Sequence, residues 1–334
     1  MVFFLASIKT VGLTKKFKDL TAVDSVDLEI KSSELFGLLG PNGAGKTTFI
    51  SMLSTTLLPT TGSATLNGFD VVREADKVRS SIGIVFQDPS LDTRLTAEEN
   101  LYLHGMFYGM SAEERKERIK FVLELVDLWE KRKLEVRTFS GGMKRRLELA
   151  RGLMHKPKVL FLDEPTLGLD PQTRQHIWKY IKRLNRKEKL TVILTTHYLE
   201  EADFLCDRVA IIDFGKIVAL DTPSNLKKNI RGDVICLKSS DDKALKEALS
   251  KKLKREIAVT EDDGELCFNG SSEDLPGIVR VADKSKIKLY SMELHKPTLE
   301  DVFLHFTGRN IRESLLGKSD QGTAYLRDFQ RIVR

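Results

Sequence analysis

From residue 7 to about residue 220, short apolar runs alternate with longer amphipathic stretches. Runs at 25–30, 34–40, 82–87, 158–163, 190–196 and 207–213 predict strands. Several are apolar throughout rather than alternating, the pattern of strands covered on both faces. Helical periodicity marks 46–54, 97–127, 141–155 and 171–189. The 97–127 stretch breaks near Gly109, where Ser111 with Glu114 spells a capping box for a second helix. Strand–helix alternation of this kind predicts an α/β core.

After Pro223 the texture changes. The order strand, helix, two strands around Asp262-Asp263-Gly264, helix, strand is the β-α-β-β-α-β sequence of a ferredoxin-like α+β fold. A helix over 297–308 and a polar tail from Asn310 follow. The expected domains are 1–222, with a helical subdomain over about 88–157, then an accessory or dimerisation domain over 223–310 and a tail over 311–334.

Composition adds little to that picture. With 41% hydrophobic and 31% charged residues, the chain reads as soluble and globular. A net charge of +6 suits anionic partners without choosing among them. The three cysteines lie far apart in sequence and predict neither a zinc site nor a disulfide framework, which fits a reducing cytosol. The MVFFLAS start lacks the basic region of a signal peptide, and no apolar run is long enough to span a membrane. Work at a membrane would be done from outside it.

Two segments carry chemistry. Residues 40–47, GPNGAGKT, stand between a predicted strand and a predicted helix and fit the P-loop pattern. Gly40, Gly43 and Gly45 permit a tight turn, completed by Pro41, Asn42 and Ala44, whose backbone N–H groups (Pro41 has none) point at phosphate oxygens. Lys46 supplies a point charge for β- and γ-phosphates, Thr47 a hydroxyl for Mg²⁺, and Thr48 continues the helix start. The second segment is KVLFLDEPT, an apolar strand ending in Asp163, the expected Mg²⁺ partner. Glu164 follows and is expected to point the other way across the pleat, toward an attacking water that it can activate as general base.

These segments, with Gln87 after IGIVF, FSGGM at 139–143, LGLD at 167–170 and His197 after LTVILTT, closely resemble the ATP-binding cassette (ABC) ATPases over residues 7 to about 220. The resemblance implies ATP and Mg²⁺ as ligands. It also implies a homodimer in which the P-loop of one chain faces Ser140, Gly141 and Gly142 of the other. By the same resemblance Gln87 senses Mg²⁺ and the lytic water, Asp170 communicates across the dimer, His197 contacts the γ-phosphate and Phe17 stacks on adenine. The helix after SGG is expected to bury Leu147, Ala150 and Leu153 and to leave Lys144, Arg145 and Arg146 solvated.

FSGGM departs from the commoner LSGGQ of the family. Met143 gives up an amide but leaves the backbone cradle intact. That methionine, QDPSLDTRLTAEENL and HKPTLEDVFLHFTGRNIRE resemble the ATPases of daunorubicin-resistance-type exporters. The implied role is a peripheral ATPase subunit on the cytoplasmic face of the cell membrane, powering a separate permease that exports drugs, lipids or other hydrophobic molecules. The alternatives are a non-transport ATPase acting on nucleic acid and a regulator without turnover. Only 100 residues separate Thr47 from Leu147, with no sustained heptads and a single P-loop, so no nucleic-acid partner is expected. Glu164 and His197 together speak against a silent regulator.

Overall fold

The computed structural model describes residues 6–87, 90–229, 233–253, 258–259 and 266–307. The chain divides between Pro223 and Ser224 into two compact units.

The first unit opens with two long antiparallel strands, β1 (Ala6–Phe17) and β2 (Leu20–Lys31). In β2, Val26, Leu28 and Ile30 are buried and the residues between them exposed, so one face is covered and the other open. β3 (Leu35–Leu39) is buried along its whole length and leads into α1 (Lys46–Leu53). β4 (Thr61–Leu66) and β5 (Phe69–Asp70) complete the first sheet, of order β2-β1-β4-β5. α2 (Ala75–Ser81) precedes β6 (Ile82–Val85). Three helices follow: α3 (Ala97–Phe107), α4 (Ala112–Leu125) and α5 (Gly141–Gly152). Capping boxes at Thr96/Glu99 and Ser111/Glu114 start the first two, each satisfying N–H groups that the helix leaves unpaired.

Alternation then resumes through β7 (Val159–Asp163), α6 (Pro171–Glu188), β8 (Thr191–Thr196), α7 (Leu199–Leu205), β9 (Arg208–Asp213) and β10 (Lys216–Asp221). The second sheet has the order β10-β9-β3-β8-β7-β6. Its pairs are parallel except β9–β10, a mixed sheet. Ile8, Leu28 and Ile30 of the first sheet, Phe49 and Met52 of α1, and Phe36, Phe161 and Ile193 of the second form one buried cluster. Each such side chain contributes roughly 1.5–3 kcal/mol on burial. This cluster fixes α1, and with it the P-loop, between the two sheets.

Strands 6–17, 61–66 and 216–221 are absent from the sequence expectations. Strands 6–17 and 61–66 mix Lys, Thr or Ser among their apolar residues, so no apolar run announces them. Strand 216–221 holds only the short apolar run 217–220 and lies at the sheet edge with no position fully buried. β6 also ends at Val85, two residues before the expected end, and leaves Phe86 and Gln87 exposed.

At the division lies α8 (Pro223–Asn229). The second unit continues with β11 (Val234–Ser239), α9 (Asp242–Leu253), β12 (Ala258–Val259), β13 (Leu266–Asn269), α10 (Leu275–Lys284), β14 (Leu289–His295) and α11 (Leu299–Thr307). Its antiparallel sheet has the order β12-β13-β11-β14, the arrangement of a ferredoxin-like split βαβ. Ile235, Leu237 and Phe268 pack with Leu245, Leu249 and Ile278 of α9 and α10. The cysteine expectation needs correction. Sequence distance concealed that Cys236 and Cys267 are register partners on β11 and β13, and Cys236 is disulfide-bonded. The expected turn at Asp262-Asp263-Gly264 and the tail 311–334 lie outside the described residues. Among the described residues no helix is long and apolar enough to cross a membrane.

Candidate functional site

The P-loop leaves the C-terminal end of β3 and wraps onto α1. Gly45, which caps α1, has a φ of 103°, and a Cβ there would stand 2.2 Å from the Ala22 carbonyl oxygen. Only glycine fits that position. The close approach also brings the β1–β2 hairpin, which carries Phe17, against the loop. Ala44 and Pro41 are buried, whereas Asn42 and Gly43 are exposed. The Ala44 carbonyl accepts from Gly215 N at 3.0 Å, which anchors the loop to the turn between β9 and β10. Thr48 is half-buried in the first turn of α1.

Lys46 is 5% exposed, and its ammonium donates to the carbonyls of Gly40 at 2.8 Å and Pro41 at 3.0 Å. Burial pulls its pKa below the usual lysine value, while Glu164 and Asp163 oppose that shift. The Thr47 hydroxyl donates to Asp163 Oδ2 at 3.2 Å, and Thr195 of β8 donates to Oδ1 of the same carboxylate. Glu164 Oε1 lies 3.8 Å from Lys46 Nζ and 3.3 Å from His197 Nδ1. The latter contact is close in distance but does not form a hydrogen bond. Burial pushes the Glu164 carboxyl up, but His197 and Lys46 together outweigh it and hold the group below its ordinary range.

Glu164 does not reach this cluster by strand alternation, as the sequence implied. β7 stops at Asp163, and Glu164 takes a left-handed φ of 45°. Its N–H donates to Thr195 O at 3.2 Å and Thr195 Oγ1 at 3.0 Å. A left-handed residue that is not glycine costs energy and persists only where its neighbours hold it. Lys46 and Thr47 of α1, Asp163 of β7, and Glu164 and His197 of the loops after β7 and β8 therefore form one group.

The other expected residues lie around this group. Phe17, at the end of β1, is 44% exposed, with Lys15 Nζ 5.1 Å above its ring. Gln87 is exposed and makes no hydrogen bond to Thr47, Asp163 or Glu164 among the described residues. Asp170 caps α6 by accepting from the Thr173 hydroxyl at 2.5 Å and from Thr173 N at 2.9 Å, and those bonds hold its carboxyl below the usual range. Ser140 caps α5, accepting from Met143 N at 3.3 Å. A Cβ on Gly142 would meet Thr173 Cγ2 at 2.5 Å, but one on Gly141 would make only ordinary contact with Leu169 at 3.6 Å. Nothing within the described chain demands glycine at position 141.

Arg145 corrects the reading of α5. It is buried rather than solvated and donates to four carbonyl oxygens, those of Pro165, Phe86, Asp163 and Glu164. Arg146 is half-buried and donates to the Val126 carbonyl at 3.1 Å. The assumption of one inward stripe failed because α5 is covered on most of its circumference, with Leu147, Glu148, Leu149 and Ala150 all buried. An arginine paired only with backbone carbonyls leaves no partner to read in the sequence.

Comparison with known proteins places this geometry. A family model described as ABC transporter matches residues 23–167. The linearmycin resistance ATP-binding protein LnrL of Bacillus subtilis is 39% identical over 307 residues, covering 90% of this chain and 98% of that protein. The daunorubicin resistance ATP-binding protein DrrA3 of Streptomyces coeruleorubidus is 40% identical, covering 91% and 97%. Among solved structures, the dimeric bacterial ABC transporter cassette MJ0796 superposes with a TM-score of 0.58 at 31% identity, over 64% of this chain and 98% of that one. The cbiO1 protein of Clostridium perfringens gives 0.63 at 25% identity, over 75% and 96%. With the P-loop lysine, the paired carboxylates and the histidine gathered in one group, the chain belongs to the ATP-binding proteins of ABC transporters, subunits that hydrolyse ATP to drive transport.

Proposed function

We propose that two copies of this chain close around two ATP molecules and power a separate membrane permease that exports hydrophobic compounds. The observation that carries the reading is the Lys46–Glu164–His197 group at the end of β7, beside the P-loop. Lys46 and the loop N–H groups hold the β- and γ-phosphates. Glu164 orients a water and takes its proton as that water attacks the γ-phosphorus, and ADP leaves with inorganic phosphate as the other product. His197 steers the Glu164 carboxylate and the γ-phosphate, and Phe17 offers an open ring face to adenine. Thr47 and Asp163 present adjacent oxygen donors of the kind that Mg²⁺ takes, and the metal would neutralise charge on the phosphates.

The second half of each site comes from the partner copy. Ser140, Gly141 and Gly142 start a helix, where unpaired N–H groups favour an anion. The absence, among the described residues, of any internal need for glycine at 141 supports approach by a group from outside the chain. Asp170, at the start of α6, would join that interface. The second unit, from Ser224 onward, steadies the pair.

For the permease, α3 supplies a surface. Tyr102 and Met106, and Leu103 and Phe107, are i,i+4 pairs left exposed, with Phe107 at 85%. Phe86, beside Gln87, shares a cavity of about 510 Å³ with Tyr108 at the end of that helix. An exposed apolar surface of this kind fits a partner's apolar segment. In this reading the chain works peripherally, on the cytoplasmic face, and the absence among the described residues of a helix able to cross a membrane is consistent with it. The names of the relatives, which speak of linearmycin and daunorubicin resistance, support export of hydrophobic drugs or lipids over the nucleic-acid alternative.

Replacing Glu164 by Gln tests the hydrolytic assignment. ATP binding should persist while turnover falls roughly a hundredfold or more, within the span of general-base catalysis. Turnover at the wild-type rate would remove Glu164 from the chemistry.

A further inference from the structure

Arg145 bonds four backbone carbonyls in two stretches of chain that the reaction needs fixed. Its Nε donates to Pro165 O at 2.6 Å, Nη1 to Phe86 O at 2.6 Å, and Nη2 to Asp163 O at 3.1 Å and Glu164 O at 3.2 Å. Glu164 sits at a left-handed φ with its N–H held by Thr195 of β8. Its carbonyl is held by Arg145. The peptide before Glu164 is thus gripped from both sides, by the sheet through its N–H and by α5 through the Asp163 carbonyl, and the peptide after it is gripped by α5.

The same face of α5 also grips the chain around Gln87. Arg145 holds Phe86 on one side. On the other, Glu148 accepts from Ser90 N at 2.7 Å, and Arg151 donates to Ser90 O at 3.2 Å and to its hydroxyl. Arg145, Glu148 and Arg151 are spaced i, i+3, i+6 and therefore lie along one side of the helix. Gly141, one turn before Arg145, opens the same helix.

We propose that Arg145 is a positioning residue that couples the two ATP sites of the dimer. Seating the partner's ATP on Ser140–Gly142 displaces or locks α5, and Arg145 carries that state to Glu164 of its own chain, which acts on its own ATP. A planar guanidinium can span four carbonyls from one point; an ammonium cannot. Hydrolysis at each site then requires ATP at both, and the residues flanking Gln87 move with the same helix. The inference rests on the composite-site reading above.

The test uses the full chain with Arg145→Gln and Arg145→Lys. The expected result is a kcat at least tenfold lower in Arg145→Gln, with a KM for ATP within about threefold of wild type. The Hill coefficient for ATP should fall toward one, and Arg145→Lys should lie between. A merely structural arginine would lower the melting temperature and leave the rate per folded molecule and the Hill coefficient alone. A kcat within about twofold of wild type in both variants overturns the proposal, and if Arg145→Gln does not fold, Arg145→Lys decides by the same criterion. ATP-dependent closure of the dimer is scored separately in Glu164→Gln. Failure to close sinks the composite site and this inference together, whereas closure with unchanged Arg145 kinetics sinks only this inference.

Discussion

Lys46 and Glu164 form an ion pair 3.8 Å apart, with side chains only 6% and 10% exposed. Removing one partner of a buried pair leaves the other uncompensated. In Lys46→Met, burial acts on the Glu164 carboxyl with only His197 opposing it, so its pKa rises from its depressed position. The loss of charge-assisted bonds to phosphate should weaken ATP binding roughly ten- to a hundredfold. Titration with ATP checks this, and wild-type affinity would remove Lys46 from the phosphate site.

Gly141 separates the needs of this chain from those of a partner. A Cβ there meets only Leu169, at an ordinary 3.6 Å, in the first turn of α5. Gly141→Ala should therefore leave the melting temperature unchanged or raise it, since alanine in a helix is worth up to about 1 kcal/mol over glycine. Turnover should nevertheless fall about tenfold or more, because the added methyl obstructs the partner's phosphate. Thermal melts beside steady-state rates give both numbers. A stable variant with full activity would contradict the placement.

His104 predicts a pH dependence of stability. Burial, with Arg151 and His155 adding to it, lowers its pKa from 6.5 to about 4. Between those values the unfolded chain binds a proton that the folded chain does not. Stability is therefore full above about pH 6.5, is lost as pH falls toward 4, and is not lost further by this group below that. The contribution is at most about 3 kcal/mol for a shift of this size. His155, lowered by the same cause, adds in the same direction. Denaturant melts of His104→Gln should show a shallower loss between pH 6.5 and 4; an unchanged slope would refute the assignment.

How much of this was legible in the sequence depends on whether a residue's partner is also written there. Lys46, Asp163, Glu164 and His197 could be read because each belongs to a motif, and the structure brings all four together. Strand 158–163 and helix 171–189 were clear because a run buried on all sides and a long amphipathic period announce themselves. β1 and β4 were not, since they mix Lys, Thr or Ser with their apolar residues, and β10 carries an apolar run of only four residues, 217–220. The left-handed turn at Glu164 had no signal, because no glycine or asparagine marks it. Arg145 had none either, because its partners are four backbone carbonyls whose positions only the fold determines.

The central claim is that each ATP site is built from two copies of the chain, and a poisoning measurement tests it most directly. Wild-type chain is co-assembled with about ninefold excess of the double variant Ser140→Arg/Glu164→Gln, which spoils both the segment offered to a partner and its own hydrolysis. Random pairing leaves about a tenth of wild-type chains with a wild-type partner. The account predicts that ATP turnover per wild-type chain falls to about that fraction. Turnover per wild-type chain that stays unchanged across the whole mixing range would show that one chain completes the site alone, and would contradict it.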